Sequence, residues 1–300
     1  MAVAPSGEQF ELLHGDQRAV VAEVGATLRS YRVGARDVLD GFEADQQADG
    51  ARGQPLIPWP NRVRDGRYDW EAETHQLALS EPALGNAIHG LVRWRNWALL
   101  DWSASRATFG LRLHPMPGYP FTLGLSIQYE LGVSGLRVCT RAENLGTRAC
   151  PYGVGFHPYL TLGGPIDAAR LTLPVEQRLI ADERLIPVSS EAVAGSLYDF
   201  REPREIGALI IDTCFCSPLR DQDGRARVTL ADDDASVTLW LGEAFNYVMV
   251  YSGDTLAAPR RRRGLAVEPM SCEPNAFESG KGLVALEPGD THVAEWGIET

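Results

Sequence analysis

Three hundred residues with 44% hydrophobic content can bury one large core or two ordinary ones, and length alone does not choose between them. A formal charge of -12 argues against a phosphate-backbone binder, whose affinity comes from an excess of Lys and Arg that this chain lacks, so no nucleic-acid partner is expected. No apolar run approaches the ~20 residues needed to cross a bilayer, and the start Met1-Ala2-Val3-Ala4-Pro5-Ser6-Gly7 has neither the charged nor the apolar region of a leader. Neither a membrane nor an export route is expected, and the cytoplasm is the expected location. Cys139, Cys150, Cys214, Cys216 and Cys272 fit that compartment as reduced thiols. Cys214-Phe215-Cys216 has no second pair to complete a metal site.

In chain order, the elements are short alternating segments punctuated by Gly, Pro, Asp and Asn. Strands are expected at Arg18 to Val24 and Leu28 to Val33. A hairpin follows, with arms Tyr68-Asp69-Trp70 and Gln76 to Leu79 turning through Glu71 to Thr74. The clearest period of two is Leu123, Leu125, Ile127, Tyr129 and Leu131, which share one face of a strand. Phe109, Leu111 and Leu113 repeat it on one side, and Leu136, Val138 and Thr140 on the other. Val237 to Leu241, Tyr247 to Tyr251 and Thr291 to Ile298 complete the set. On the order of fifteen candidates with turn signals every ~8–12 residues imply an all-β sandwich or barrel. No linker, composition shift or repeat divides them, so a single domain over residues 1–300 is expected. Phe42 to Gly53 and Asp182 to Gly207 are expected to be loops or 3₁₀ turns, of a length often found over a site. Arg260 to Arg263 is read as a solvated loop, with an anion-binding or lid role as the alternative.

Four clusters place ionisable residues beside prolines, glycines and aromatics. Pro58-Trp59-Pro60-Asn61-Arg62 presents an amide and a guanidinium fork from a rigid segment, and Trp59 offers a flat face for a sugar ring. Ile88-His89-Gly90 and Gly155-Phe156-His157-Pro158-Tyr159 each hold a histidine, which alone is more often a satisfied structural group than a catalyst. In Leu265-Ala266-Val267-Glu268-Pro269 a carboxylate closes a buried apolar run, costly unless paired, and the proline is expected to end the strand.

Together these segments resemble the aldose 1-epimerases, or galactose mutarotases, from about Gly25 to the C-terminus. Asn61-Arg62-Val63 with Gly66 is similar to the family's Asn-Arg-Ile-x-x-Gly, and Ile88-His89-Gly90 to its His-Gly element. Gly155 to Tyr159 is similar to its x-His-x-Tyr/Phe segment, Asp212-Thr213-Cys214-Phe215 to its Asp-x-x-Phe, and Val267-Glu268 with Pro274-Asn275-Ala276 to its Glu…Pro-Asp/Asn-Ala. The resemblance implies a large antiparallel β-sandwich, the galactose mutarotase-like supersandwich, with a small-molecule sugar in an open cleft. It implies that His157 is the general acid to the ring oxygen and Glu268 the general base to the anomeric hydroxyl. It assigns Asn61, Arg62, His89, Asp212 and Tyr159 to sugar binding, and implies a monomer or homodimer.

Those roles agree with the chemistry. Interconverting anomers requires one proton to leave the anomeric hydroxyl while another reaches the ring oxygen, which opens the ring to an aldehyde that recloses on its other face. Histidine, with a pKa near ~6.5, is refilled at neutral pH, and a carboxylate takes the other proton. No metal or organic cofactor is needed. Many galactose mutarotases carry glutamine where this chain has Met249, a thioether that cannot replace an amide toward a hydroxyl. The segment Glu268-Pro269-Met270-Ser271-Cys272 resembles a bacterial subgroup for which sulfoquinovose is a candidate, its sulfonate meeting Arg93 or Arg260 to Arg263. The same fold could also carry a hexose-6-phosphate mutarotase or a catalytically silent sugar-binding module. An acid and a base across one ring are expected in an enzyme and are superfluous in a binder.

Overall fold

A computed structural model describes residues 3–300. Leu123–Gly132 alternates as its sequence predicts, with Leu123, Leu125, Ile127, Tyr129 and Leu131 buried and the residues between them half-buried. It pairs antiparallel with Arg106–Leu113 and Gly135–Asn144, inside a nine-stranded sheet that also holds Ser236–Leu241 and Thr291–Glu299. A second, eight-stranded antiparallel sheet sets Val175–Ala181, Asp212–Pro218, Tyr247–Tyr251 and Leu265–Met270 side by side. Phe156 of this sheet packs on Trp296 of the other, ring centroids 5.3 Å apart, within one contiguous cluster of buried apolar side chains. Removing that surface from water is the main force holding the layers together.

Period two also creates the functional face. Phe215, Val248, Val250 and Val267 enter the main core. Their neighbours Cys214, Met249 and Glu268, paired across adjacent strands, point to the opposite face of the sheet.

Three expectations are corrected. The hairpin pairs Arg67–Trp70 with Glu73–Gln76, so Thr74 lies in a strand and Leu77 to Leu79 beyond it. Glu71 and Ala72, with φ of 48° and 65°, make a two-residue turn whose twist suits the flanking strands. Residues 182–207 include a strand, Pro187–Ala192, at the edge of the eight-stranded sheet; with five of its six residues exposed it has no apolar alternation to read. The strand carrying Glu268 runs on through Pro269 to Met270. The chain beside it is interrupted at His157-Pro158, an irregularity of the kind at which strands tolerate a proline. Phe42 to Gly53 is free of strand, as expected. The α-helix among the described residues is the four-residue Ala276–Ser279, no helix there is long and apolar enough to cross a membrane, and all five cysteines are free.

Candidate functional site

The interruption at His157-Pro158 builds the centre of the site. Gly155 pairs with Met270 and Tyr159 with Ala266, so three residues lie between the pairings on each chain and His157 stands opposite Glu268 in register. The amide of His157 donates to the Gln54 carbonyl at 3.1 Å and its carbonyl accepts from Gly53 at 2.9 Å. Tyr159 stacks on the imidazole, centroids 5.0 Å apart and planes 16° from parallel. Its hydroxyl donates to the Gly50 carbonyl at 3.0 Å, while the Arg52 guanidinium covers the tyrosine ring at 4.1 Å. The imidazole is held from behind and cannot tilt freely.

His157 Nε2 lies 3.2 Å from Glu268 Oε1, and both side chains are nearly enclosed. His157 Nδ1 and Glu268 Oε2 have no protein partner. Burial drives His157 below the ordinary histidine range, with Arg93 and Arg52 adding to the effect. It drives Glu268 well above the carboxylate range, Asp212 pushing the same way and Arg62 opposing. Each group disfavours its own charge, so the pair holds one proton between two neutral partners, and its titration belongs to both. From the sequence the two are expected across a ring from one another. They are in contact instead, side by side on the floor of one cleft of about 350 Å³ that Arg93, Trp94, Asp212 and Tyr251 also line.

His89 reaches the same floor from another element. Strands Arg62–Arg64 and Asn86–Ile88 pair antiparallel, and Asn61 and His89, with φ of 56° and 62°, stand at their junction. The His89 amide donates to the Asn61 carbonyl at 2.8 Å, and the Asn61 amide donates to His89 Nδ1 at 3.2 Å. With Nδ1 accepting, the neutral ring carries its proton on Nε2. The ring lies edge to face with His157, centroids 5.4 Å apart. His89, His157 and Glu268 each bring one donor atom within 4.8 Å of the others, a set that could hold a divalent cation. Their separation along the chain hides them from any search by spacing.

Arg62 gives Nε and Nη2 to the two oxygens of Glu81, at 2.8 and 2.9 Å, which leaves Nη1 as its less committed edge. Asp212 opens its strand opposite Tyr251 with its carboxyl accessible to solvent. The surrounding protein raises its pKa, with Arg62 opposing. Met249, adjacent in register to Glu268, lines the cleft as an almost fully buried thioether. Asn61, Arg62, His89, His157, Tyr159, Asp212 and Glu268 therefore all line one cleft, although more than two hundred residues separate its ends along the chain.

Trp59 is not among them. It is buried against Phe277, centroids 5.3 Å apart, and has no face free for a sugar. The apolar flank that suggested stacking belongs to the core, and the exposed indole at the cleft is Trp94. The run Arg260 to Arg263 also lies elsewhere. Arg260 holds Asp40 at 2.9 Å and Arg262 holds Asp167 and Asp254, both at 3.1 Å, so half of the run braces loops and none of it lines the cleft. Tyr251 and Leu256, which line the cleft, and Arg52, which lies over the Tyr159 ring behind it, were not predicted; only the strand alternation that also orients Met249 could have pointed to Tyr251.

Burial lowers the pKa of four histidines, His75, His89, His157 and His292. As pH falls through ~6.5 the unfolded chain takes up these protons before the folded one, so their contribution to stability is present above that pH and lost below it. The raised carboxyls Glu268 and Asp212 work in the opposite sense, which makes a variant the cleaner comparison. His89→Asn keeps a residue type tolerant of positive φ. It makes the fall in thermal midpoint between pH 7 and pH 5 shallower than in the parent, read by circular dichroism; an equal or steeper fall contradicts the assignment.

The Aldose 1-epimerase family profile matches residues 8–299, and the chain belongs to that family. It is 35% identical over 289 residues to the uncharacterized protein YihR of Escherichia coli, covering 96% of this chain and 91% of that one. The fold is similar to that of a GalM/aldose epimerase homologue from C. elegans, with TM-score 0.87, 16% identity and 98% of each chain covered. A galactose 1-epimerase from Lactobacillus acidophilus superposes with TM-score 0.80 at 18% identity, over 96% of this chain and 93% of that one.

Proposed function

We propose that the protein is a mutarotase that interconverts the α and β anomers of a free aldose, with His157 as general acid and Glu268 as general base. The observation that carries this reading is the 3.2 Å contact between the two at the floor of the cleft. The anomeric hydroxyl and the ring oxygen are bonded to the same carbon, so their proton donor and acceptor belong side by side. His157 Nδ1 is enclosed, which makes Nε2 the nitrogen that exchanges with the cleft. An anomeric hydroxyl donating to Glu268 favours the carboxylate, and that moves the shared proton to His157 for delivery to the ring oxygen. Once the ring has opened and the aldehyde has turned, the two groups exchange jobs to close it. His89 Nε2–H, Arg62, Asn61 and Asp212 supply donors and acceptors for the sugar hydroxyls, while Tyr159, its own hydroxyl committed, holds the imidazole in place. Polarimetry on fresh α-glucose and α-galactose tests the reading: faster loss of optical rotation than in buffer supports it, and an uncatalysed rate on every sugar tried rejects it.

Arg93 favours a second reading in which the aldose bears an anionic group. Its guanidinium lines the cleft and donates to the neutral Gln54 side chain at 3.3 Å, and it forms no ion pair among the described residues. Burial lowers its pKa to about 10, which leaves it cationic at neutral pH. A sulfonate, as in sulfoquinovose, or a sugar phosphate would supply the missing counter-charge. Arg93→Ala is expected to lower kcat/KM for such a sugar roughly 10–100-fold more than for glucose. Equal losses on both would remove this reading and leave the neutral sugar.

A further inference from the structure

We propose a second binding site, for the oxyanion of a phosphate group, in a cavity of about 380 Å³ that shares no lining residue with the cleft over His157 and Glu268. It lies against a four-stranded sheet made by Gln9–His14, Gln17–Ala22, Thr27–Val33 and Arg36–Asp37. It owes nothing to the acid–base reading.

The register gathers arginines there. Val20 stands opposite Ser30 and Arg18 opposite Arg32, which puts these four side chains on one face of the sheet, and all four line the cavity. From Val20 to Val21 the pairing jumps from Ser30 to Leu28, leaving Arg29 as the extra residue of a bulge. In a regular strand Arg29 and Ser30 would point to opposite faces. The bulge brings both to the cavity. The chain after Asp40 closes onto it: a Cβ built on Gly41 lies 2.2 Å from the Arg29 carbonyl oxygen, so this approach needs a glycine.

The charges there are not all matched. Arg18 pairs with Glu11, Arg32 with Asp37 at 3.1 Å, and Asp40 is shared by Arg52 at 2.7 Å and Arg260 at 2.9 Å. Two lining cations, Arg29 and Arg263, form no ion pair among the described residues. Arg29 gives Nη1 to the Phe42 carbonyl at 2.7 Å, and its buried Nε has no partner. Arg263 donates to the Gly163 carbonyl at 3.3 Å, while its own carbonyl accepts from the Thr161 hydroxyl at 2.9 Å, which anchors it at the wall. Glu43, exposed, is the lining carboxylate without an ion pair among the described residues. Guanidinium groups match the oxygens of a phosphate, and an oxyanion here supplies the acceptor that Arg29 Nε lacks. The anion-binding alternative for the basic run is thus met by Arg263, away from the cleft.

Calorimetric titration with inorganic phosphate, at an ionic strength held constant with chloride, tests the site. Binding is expected to saturate at or below millimolar phosphate. Arg29→Gln and Arg263→Gln each weaken it ~10-fold, the usual worth of a charge-assisted hydrogen bond. Glu43→Gln tightens it by removing a repulsive charge, and Arg93→Ala, in the cleft, leaves it unchanged. Glycerol 3-phosphate, which has no anomeric carbon, identifies the source of the oxyanion: tighter binding than phosphate means a phosphate monoester and equal binding the free ion, and either keeps the site. No saturable binding, or binding that Arg93→Ala abolishes and both Arg29→Gln and Arg263→Gln leave intact, overturns the proposal. Arg29→Gln also removes the bond to the Phe42 carbonyl, so its fold is checked by circular dichroism. Arg263 is exposed, and Arg263→Gln decides the matter should the other variant unfold. Turnover plays no part, so a failure here leaves the mutarotase reading untouched.

Discussion

His157→Asn and Glu268→Gln each lower the rate of anomer interconversion at least ~100-fold while the far-UV circular dichroism stays that of the parent. The magnitude follows from what each change removes. A positioned acid or base contributes on the order of 10²–10⁴-fold, and neither amide can carry a proton through the cycle. The contact between the two groups adds a second expectation. Because the pair holds one proton, losing either member disables both steps, so the double variant is little slower than either single one. Activity falls on the acid side as the pair takes up a second proton and on the alkaline side as it loses its only one, with apparent pKa values that belong to the pair. Stability is not expected to collapse, since both replacements substitute a neutral polar group for one that burial already keeps from charging. Parent-like rates in both variants would reject the roles of His157 and Glu268 together.

How much of this was legible in the sequence depends on which force fixes each feature. Where one face is buried, as in Leu123–Gly132, apolar alternation reports the strand directly and gives the correct inward set. Ala98–Trp102 and Pro187–Ala192 lie at sheet edges with their side chains mostly or wholly exposed, so they carry no such alternation, and it is backbone pairing that makes them strands. His157 drew notice as a histidine set among glycine, proline and aromatics, and Glu268 as a carboxylate closing an apolar run. That observation could not say whether they face each other across a ring or lie beside one another, because the answer depends on which residue of the Leu265–Met270 strand the pairing sets opposite His157. Trp59 misled for a similar reason: between two prolines it reads as a presented aromatic, and only the distant Phe277 shows that it faces inward.

Gly90→Ala is expected to destabilise the fold by at least about 3 kcal/mol and to weaken catalysis in whatever protein remains folded. Gly90 has φ of 69°, which costs a residue with a Cβ about 1–2 kcal/mol. Space makes it worse. A Cβ built there lies 2.0 Å from the Ile57 carbonyl oxygen and 2.4 Å from its carbon, so the backbone itself must move. The same carbonyl accepts from the Leu91 amide at 2.7 Å, a bond worth about 1 kcal/mol that the shift would stretch or break. Gly289→Ala separates these effects, because Gly289 has φ of 84° with nothing within 4 Å of its added Cβ. Gly90→Ala should therefore lower the thermal midpoint by several degrees more than Gly289→Ala. It should also slow mutarotation, since His89 precedes Gly90 and its ring is placed by the two bonds to Asn61 that a moved backbone would disturb. Matching midpoints for the two variants would mean that the turn beneath His89 yields without resistance, and then close packing against Ile57 could not be what holds His89 over the cleft.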